Sequence, residues 1–141
     1  IAFMSDNTLN ATVKWLDDLT FVAESGSGHQ MVLDGHAKTS ASPMEAILMA
    51  AGSCASVDVV SILQKARQKV MHCECRVTGE RVSDTPKVFK KVHLEFVVTG
   101  QNVAETHVDR AVKLSADKYC SVAKMLEASV EMTHSYKIIE A

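Results

Sequence analysis

The stretch SPMEAILMAAGSCASVDVVSIL, residues 42–63, decides how this chain folds. Its first four residues spell a helix start. Ser42 is a good N-cap, Pro43 suits the first helical position, and Glu45 at the third closes a capping box. Helical character is predicted to continue to about Gln68, with Gly52 as a candidate break. Ala46, Ala50, Ala51, Gly52, Ser53, Ala55 and Ser56 leave little bulk on several faces. Such a helix is suited to close approach by another element. In its middle stands one cysteine, Cys54.

Upstream of the loop HAKTSAS, residues 36–42, the pattern is that of strands. TVKWL (12–16) alternates, with Val13 and Trp15 on one face, and Asp17-Asp18 signals a turn. LTFVAE (19–24) follows, and GSGHQMVLDG (26–35) reads as a turn, an apolar strand and a stop. Hairpin connections of this kind predict an antiparallel meander. Downstream, CECRVTGE and VFKKVHLEFVVTG are strands separated by the turn SDTPK. In the second, Val92, Leu94 and Phe96 fall on one face and His93, Glu95 and Val97 on the other. Residues 103–118 form an amphipathic helix with Val108, Ala111, Val112 and Leu114 clustered. YCSVAKMLEA is a short second helix, and VEMTHSYKII a last strand. Strands neighbour strands and helices neighbour helices, so the class is α+β with antiparallel sheets, and no glycine-rich phosphate loop is present.

The 141 residues fit a single domain, taken as residues 4–141; Met4 reads as a natural start and Ile1–Phe3 as non-native leftover. Hydrophobic residues at 47% and charged residues at 23% are an ordinary globular balance. A net charge of −2 and 5% aromatics argue against nucleic-acid binding, which needs a basic patch or stacking platforms. No apolar run is expected to span a bilayer, and no signal peptide is evident. The expected compartment is the cytoplasm, where thiols stay reduced unless used for redox chemistry.

The four cysteines carry the chemistry. Cys54 in a helix of small residues is compatible with burial as packing. Cys120, if it opens the last helix, sits where the dipole and free N–H groups favour a thiolate. Cys73 and Cys75 share one face of a strand while His72 takes the other, and no second CxC or CxxC completes a metal site. His134 reads as an exposed strand position.

SPMEAILMAAGSC and SADKYCSVAKML, with their cysteines 66 residues apart, together resemble the two cysteine motifs of the OsmC/Ohr family, the osmotically induced and organic hydroperoxide resistance proteins. The order of strands and helices is similar over nearly the whole chain. The resemblance implies an OsmC-like fold, with antiparallel sheets wrapped around long central helices in an intertwined homodimer. It implies a peroxidase without cofactor or metal that acts on small organic hydroperoxides in oxidative-stress defence. Cys54 would attack the O–O bond and become a sulfenic acid, Cys120 would condense with it, and an external thiol reductant would reopen the disulfide. Family hydroperoxidases also use an N-terminal arginine and a glutamate ten residues before the first cysteine. Here the first arginine is Arg67, position 44 is methionine, and Glu45 is the candidate carboxylate. Asp58, one turn beyond Cys54, would raise a facing thiol's pKa if no cation accompanied it. A second reading is a non-catalytic dimer of the same fold that binds a small hydrophobic ligand near Met44, Ile47, Leu48 and Met49. A third is a structural dimer whose cysteines only pack.

Overall fold

The computed structural model describes residues 7–141, so the reading of Ile1–Phe3 and Met4 lies outside the described residues. The element order is β1 (Ala11–Asp17), β2 (Thr20–Ser25), β3 (Gln30–Asp34), α1 (Pro43–Lys65), β4 (Lys69–Arg81), β5 (Phe89–Gln101), α2 (Glu105–Leu114), α3 (Ser121–Leu126) and β6 (Glu131–Glu140). A π-helical turn, Ser115–Tyr119, joins α2 to α3. The contacts divide the chain into two compact units, one ending at Ala46 and one covering Ile47–Ala141.

In the first unit β1, β2 and β3 form the expected antiparallel meander, with Trp15 opposite Phe21 and Val22 opposite Val32. Every residue of β1 is exposed, including Trp15. After β3 the chain turns around Asp34. Its carboxylate accepts the backbone N–H groups of His36 (2.9 Å), Lys38 (3.1 Å) and Thr39 (3.0 Å), and the Thr39 hydroxyl (3.1 Å). These donors, the Thr39 and His36 N–H groups foremost, hold the carboxyl well below the usual range. The turn delivers the chain to the start of α1. There the Glu45 carboxylate accepts the Ser42 N–H at 2.9 Å, and the Ser42 hydroxyl accepts the Glu45 N–H at 3.2 Å. This is the capping box read from the sequence.

α1 passes through Gly52 without a break and ends at Lys65, slightly short of Gln68. In the second unit its Ala51, Ala55, Val59 and Leu63, spaced by four, are fully buried. They meet the inner face of β5, where Val92, Leu94, Phe96 and Val98 are buried, and the Val108, Ala111 and Val112 face of α2. Burying Val59 and Leu63 alone contributes roughly 1.5–3 kcal/mol each. The small residues have a specific use here. A methyl group at Gly52 would stand 2.7 Å from Val77 Cγ2, so only glycine lets α1 lie this close to β4.

Three expectations are corrected. The second sheet has the order β4-β5-β6, and its β5–β6 pair is parallel, not antiparallel. The crossover through α2 and α3 returns the chain to the same end of the sheet, as a parallel pair requires. The helix expected over 103–118 ends at Leu114 and widens into the π turn. Finally, α1 is long and apolar enough by length and composition to cross a membrane, although most of its candidate span is not buried within the chain. Alanine, glycine and serine made that run look less apolar than it is. The uncovered side carries Met49 and Val57, both largely exposed and eight residues apart on one helix face.

Candidate functional site

Cys120 is the N-cap of α3, with φ −76° and ψ 103°, and its sulfur accepts the Ala123 N–H at 3.4 Å. The sequence placed it correctly. Its environment is another matter: Cys120 is only 1% exposed. Burial pushes its thiol up; the hydrogen-bonded Cys54 and the negative charge of Asp58 push the same way, and the single Ala123 N–H opposes them. The net position is about 11. The expected thiolate at Cys120 is therefore corrected to a protonated thiol. One N–H at the mouth of a six-residue helix does not outweigh lost solvation and two unfavourable neighbours.

Cys54, on α1, is half-buried, and it is hydrogen-bonded to Cys120. Since Cys120 holds its proton, Cys120 donates and the Cys54 sulfur accepts. The two motifs, 66 residues apart in sequence, thus meet at their sulfurs.

Ser115 fixes that meeting. It is 1% exposed, and its hydroxyl is shared between Ala55 O at 3.3 Å and Asp58 Oδ2 at 3.2 Å, both on α1. Its own carbonyl accepts the Cys120 N–H at 2.9 Å, closing the π turn. One buried residue therefore ties the segment bearing Cys120 to the helix bearing Cys54. A serine in the last apolar turn of α2 gave no signal of this in the sequence, because the partners lie about 60 residues away. The π turn supplies the extra residue that turns Cys120 inward, a local distortion of the kind often found at functional sites.

Cys73 and Cys75 are half-buried on the inner face of β4, while His72, Glu74 and Arg76 are exposed, as the alternation predicted. Burial pushes the Cys75 thiol up to about 11; the Ser56 hydroxyl opposes this, and Cys73 and Cys120 add to it. Its sulfur lies against Gly52, 3.7 Å from where a methyl group would stand. Among the described residues no group of three or more His, Cys, Asp or Glu is arranged to hold a metal.

Of the four arginines, Arg76 pairs with Glu74 and Glu95 on the other face of the sheet, and Arg81 donates to Lys87 O at 2.6 Å. Arg110 instead borders an open cleft of about 460 Å³ with Asp58, Lys65 and Tyr119. Asp58 was singled out in the sequence; that its cleft also holds two cations was not readable there. A separate cavity of about 110 Å³ lies against Cys120, and His134 is on its lining. His93 is not free for chemistry: its ring nitrogens bond Thr133 Oγ1 (2.7 Å) and Ser135 Oγ (2.8 Å).

Comparison with known proteins agrees with this arrangement. The family profile described as OsmC-like protein matches residues 35–135. Protein YhfA of Escherichia coli K12 is 53% identical over 134 residues, covering 94% of this chain and all of that protein. The crystal structure of a hypothetical protein from Aquifex aeolicus VF5 superposes with a TM-score of 0.87 at 29% identity, covering 96% of this chain and 98% of the other. An organic hydroperoxide resistance protein OsmC from Legionella pneumophila has the same fold, with a TM-score of 0.69 at 14% identity, covering 95% and 99% of the two chains.

Proposed function

The chain belongs to the OsmC-like protein family, and within it we propose a cysteine-based peroxidase that reduces small organic hydroperoxides in oxidative-stress defence. The observation that carries the proposal is the hydrogen-bonded Cys54–Cys120 pair. Cys54 is the nucleophile. Its thiolate attacks the O–O bond, takes one oxygen as a sulfenic acid, and releases an alkoxide that picks up a proton to leave as an alcohol. Cys120 then attacks the sulfenic sulfur. Its retained proton leaves with the hydroxyl as water, and the Cys54–Cys120 disulfide remains. An external thiol reductant restores both thiols. Glu45 enters as a positioning residue that fixes the start of α1. Neither cofactor nor metal is invoked.

The working form is proposed to be a cytoplasmic homodimer, with residues 4–141 acting as one functional domain. The exposed Met49 and Val57 face of α1 and the exposed Val13 and Trp15 of β1 are apolar surface that a second copy would cover. Sedimentation of the reduced protein as a monomer at micromolar concentration would remove this part.

The deciding experiment treats fully reduced protein with one equivalent of cumene hydroperoxide and maps its peptides without reductant. A rapid Cys54–Cys120 disulfide is the expected result. Unchanged peroxide consumption by the double Cys54→Ser, Cys120→Ser variant would refute the proposal. The high position of the Cys120 thiol and the absence of an arginine before Arg67 favour one rival. That rival is a non-catalytic dimer holding a small hydrophobic ligand near Met44, Ile47, Leu48 and Met49; inert thiols and a ligand retained in native mass spectrometry would establish it.

A further inference from the structure

The cavity beside Cys120 has a floor of Leu94, Phe96 and Val112, is bordered by Cys120, and carries Asp117, Glu127 and His134 as its ionisable groups. Cys54 is not part of its lining. At about 110 Å³ it holds a chain of about four or five heavy atoms, which is an alkyl thiol arm and not a protein surface. Lys124, the nearest cation to the rim, is already paired with Glu127 at 2.8 Å, and Lys113 with Asp109 at 2.8 Å. Asp117 thus leaves the rim with a negative balance.

We propose that this cavity is the entry site of the reductant, that the reductant is a small unbranched thiol with a neutral or cationic tail, and that it attacks the sulfur of Cys120. The inference rests on the disulfide of the proposed function and adds where that disulfide is opened and by what.

The incoming thiol loses its proton and forms a bond to Cys120 Sγ as the Cys54–Cys120 bond breaks. Cys54 leaves as a thiolate and takes up that proton. A second thiol, on the same molecule or another, then attacks the reductant's own sulfur in the mixed disulfide. Cys120 leaves, is protonated, and the reductant departs as its disulfide. Two thiols are oxidised and one protein disulfide is reduced, so electrons balance. The opposite choice would expel Cys120, whose thiol sits at about 11 and is the poorer leaving group.

The test begins from disulfide-form protein made with diamide, so it does not depend on peroxide activity. Cysteamine, 2-mercaptoethanol and 2-mercaptoethanesulfonate are compared at equal thiolate concentration, with rapid N-ethylmaleimide quenching and peptide mapping. The mixed disulfide is expected on Cys120, with cysteamine roughly fivefold or more faster than the sulfonate at low salt. The Asp117→Asn, Glu127→Gln double variant should erase that order. Ala116→Leu, which fills the cavity wall, should slow reduction about tenfold while leaving the rate of disulfide formation unchanged. A mixed disulfide on Cys54, or no charge order in the wild-type protein, would overturn the inference even if Ala116→Leu failed to fold. If diamide makes the disulfide and the thiols open it as described while cumene hydroperoxide never forms it, the peroxidase reading fails and this site stands.

Discussion

Ser115→Ala tests the link between the two cysteine segments. The substitution deletes a hydroxyl that is 1% exposed and shared between Ala55 O at 3.3 Å and Asp58 Oδ2 at 3.2 Å. A hydrogen bond to a charged acceptor contributes roughly 1.5–3 kcal/mol net. Both contacts are long, and Asp58 is only half-buried, so water recovers part of the loss; the lower end, about 1.5 kcal/mol, is expected. In urea this is a midpoint shift of roughly 0.5–1 M at an ordinary slope. The π turn keeps its Cys120 N–H to Ser115 O bond, so the fold survives, but the turn is no longer pinned to α1. Disulfide formation after peroxide should therefore fall about tenfold while Cys54 sulfenic acid still forms, which dimedone trapping reads directly. The Asp58→Ala variant should couple to Ser115→Ala by at least about 0.5 kcal/mol in a double-mutant cycle. A variant with wild-type midpoint and wild-type disulfide rate would refute the role given to Ser115.

Three further outcomes are expected. Gly52→Ala gains up to about 1 kcal/mol of helix propensity but forces a contact 2.7 Å from Val77 Cγ2, a short branched group with little room to yield; overpacking should win, with a net loss of about 1 kcal/mol by urea melting. Glu45→Ala should cost about 1 kcal/mol of stability through the lost cap, whereas Glu45→Gln, which keeps it, should leave both stability and peroxide turnover unchanged; a tenfold loss of turnover in the glutamine variant would make Glu45 a catalytic group instead. Cys75 and Cys120 both lie at about 11 in the folded chain, above an unfolded thiol near ~8.5. Raised folded values contribute stability in full below pH ~8.5 and lose it as pH rises toward 11, so the melting temperature should fall across that window and fall less in a Cys75→Ala, Cys120→Ala variant.

What the sequence disclosed follows the range of each interaction. The capping box is local, three residues from donor to acceptor, and Ser42, Pro43 and Glu45 announce it unaided. The faces of β4 and β5 were legible because alternation is a property of consecutive residues, and Cys73, Cys75, Val92, Leu94 and Phe96 all fall where period two puts them. Membership of the OsmC-like family was legible from two cysteine motifs. The parallel β5–β6 pair was not, since its direction depends on how a long crossover returns. Nor was the protonation of Cys120. A helix start is visible in sequence, but the burial that overrides it comes from the surrounding packing, and Cys54 and Asp58 lie more than 60 residues upstream.

The opposed environments of the two sulfurs make chemical sense of that burial. A nucleophile must meet peroxide, whereas its partner must wait without being oxidised itself. Only the thiolate reacts readily with peroxide, so holding Cys120 protonated at about 11 protects it until Cys54 carries an oxygen. The same proton is then where condensation needs it, on the sulfur that must expel a hydroxyl as water. Asp58 contributes twice: its charge helps keep Cys120 protonated, and its carboxylate accepts the Ser115 hydroxyl that ties the π turn to α1. Replacing it by asparagine separates these roles, since the amide oxygen still accepts from Ser115 while the charge is gone. Asp58→Asn should retain stability within about 0.5 kcal/mol yet lower the Cys120 thiol pKa, seen as faster iodoacetamide labelling at pH 8 and more direct oxidation of Cys120 by excess peroxide. Unchanged labelling would mean that burial alone sets the Cys120 proton and that Asp58 serves only as Ser115's acceptor.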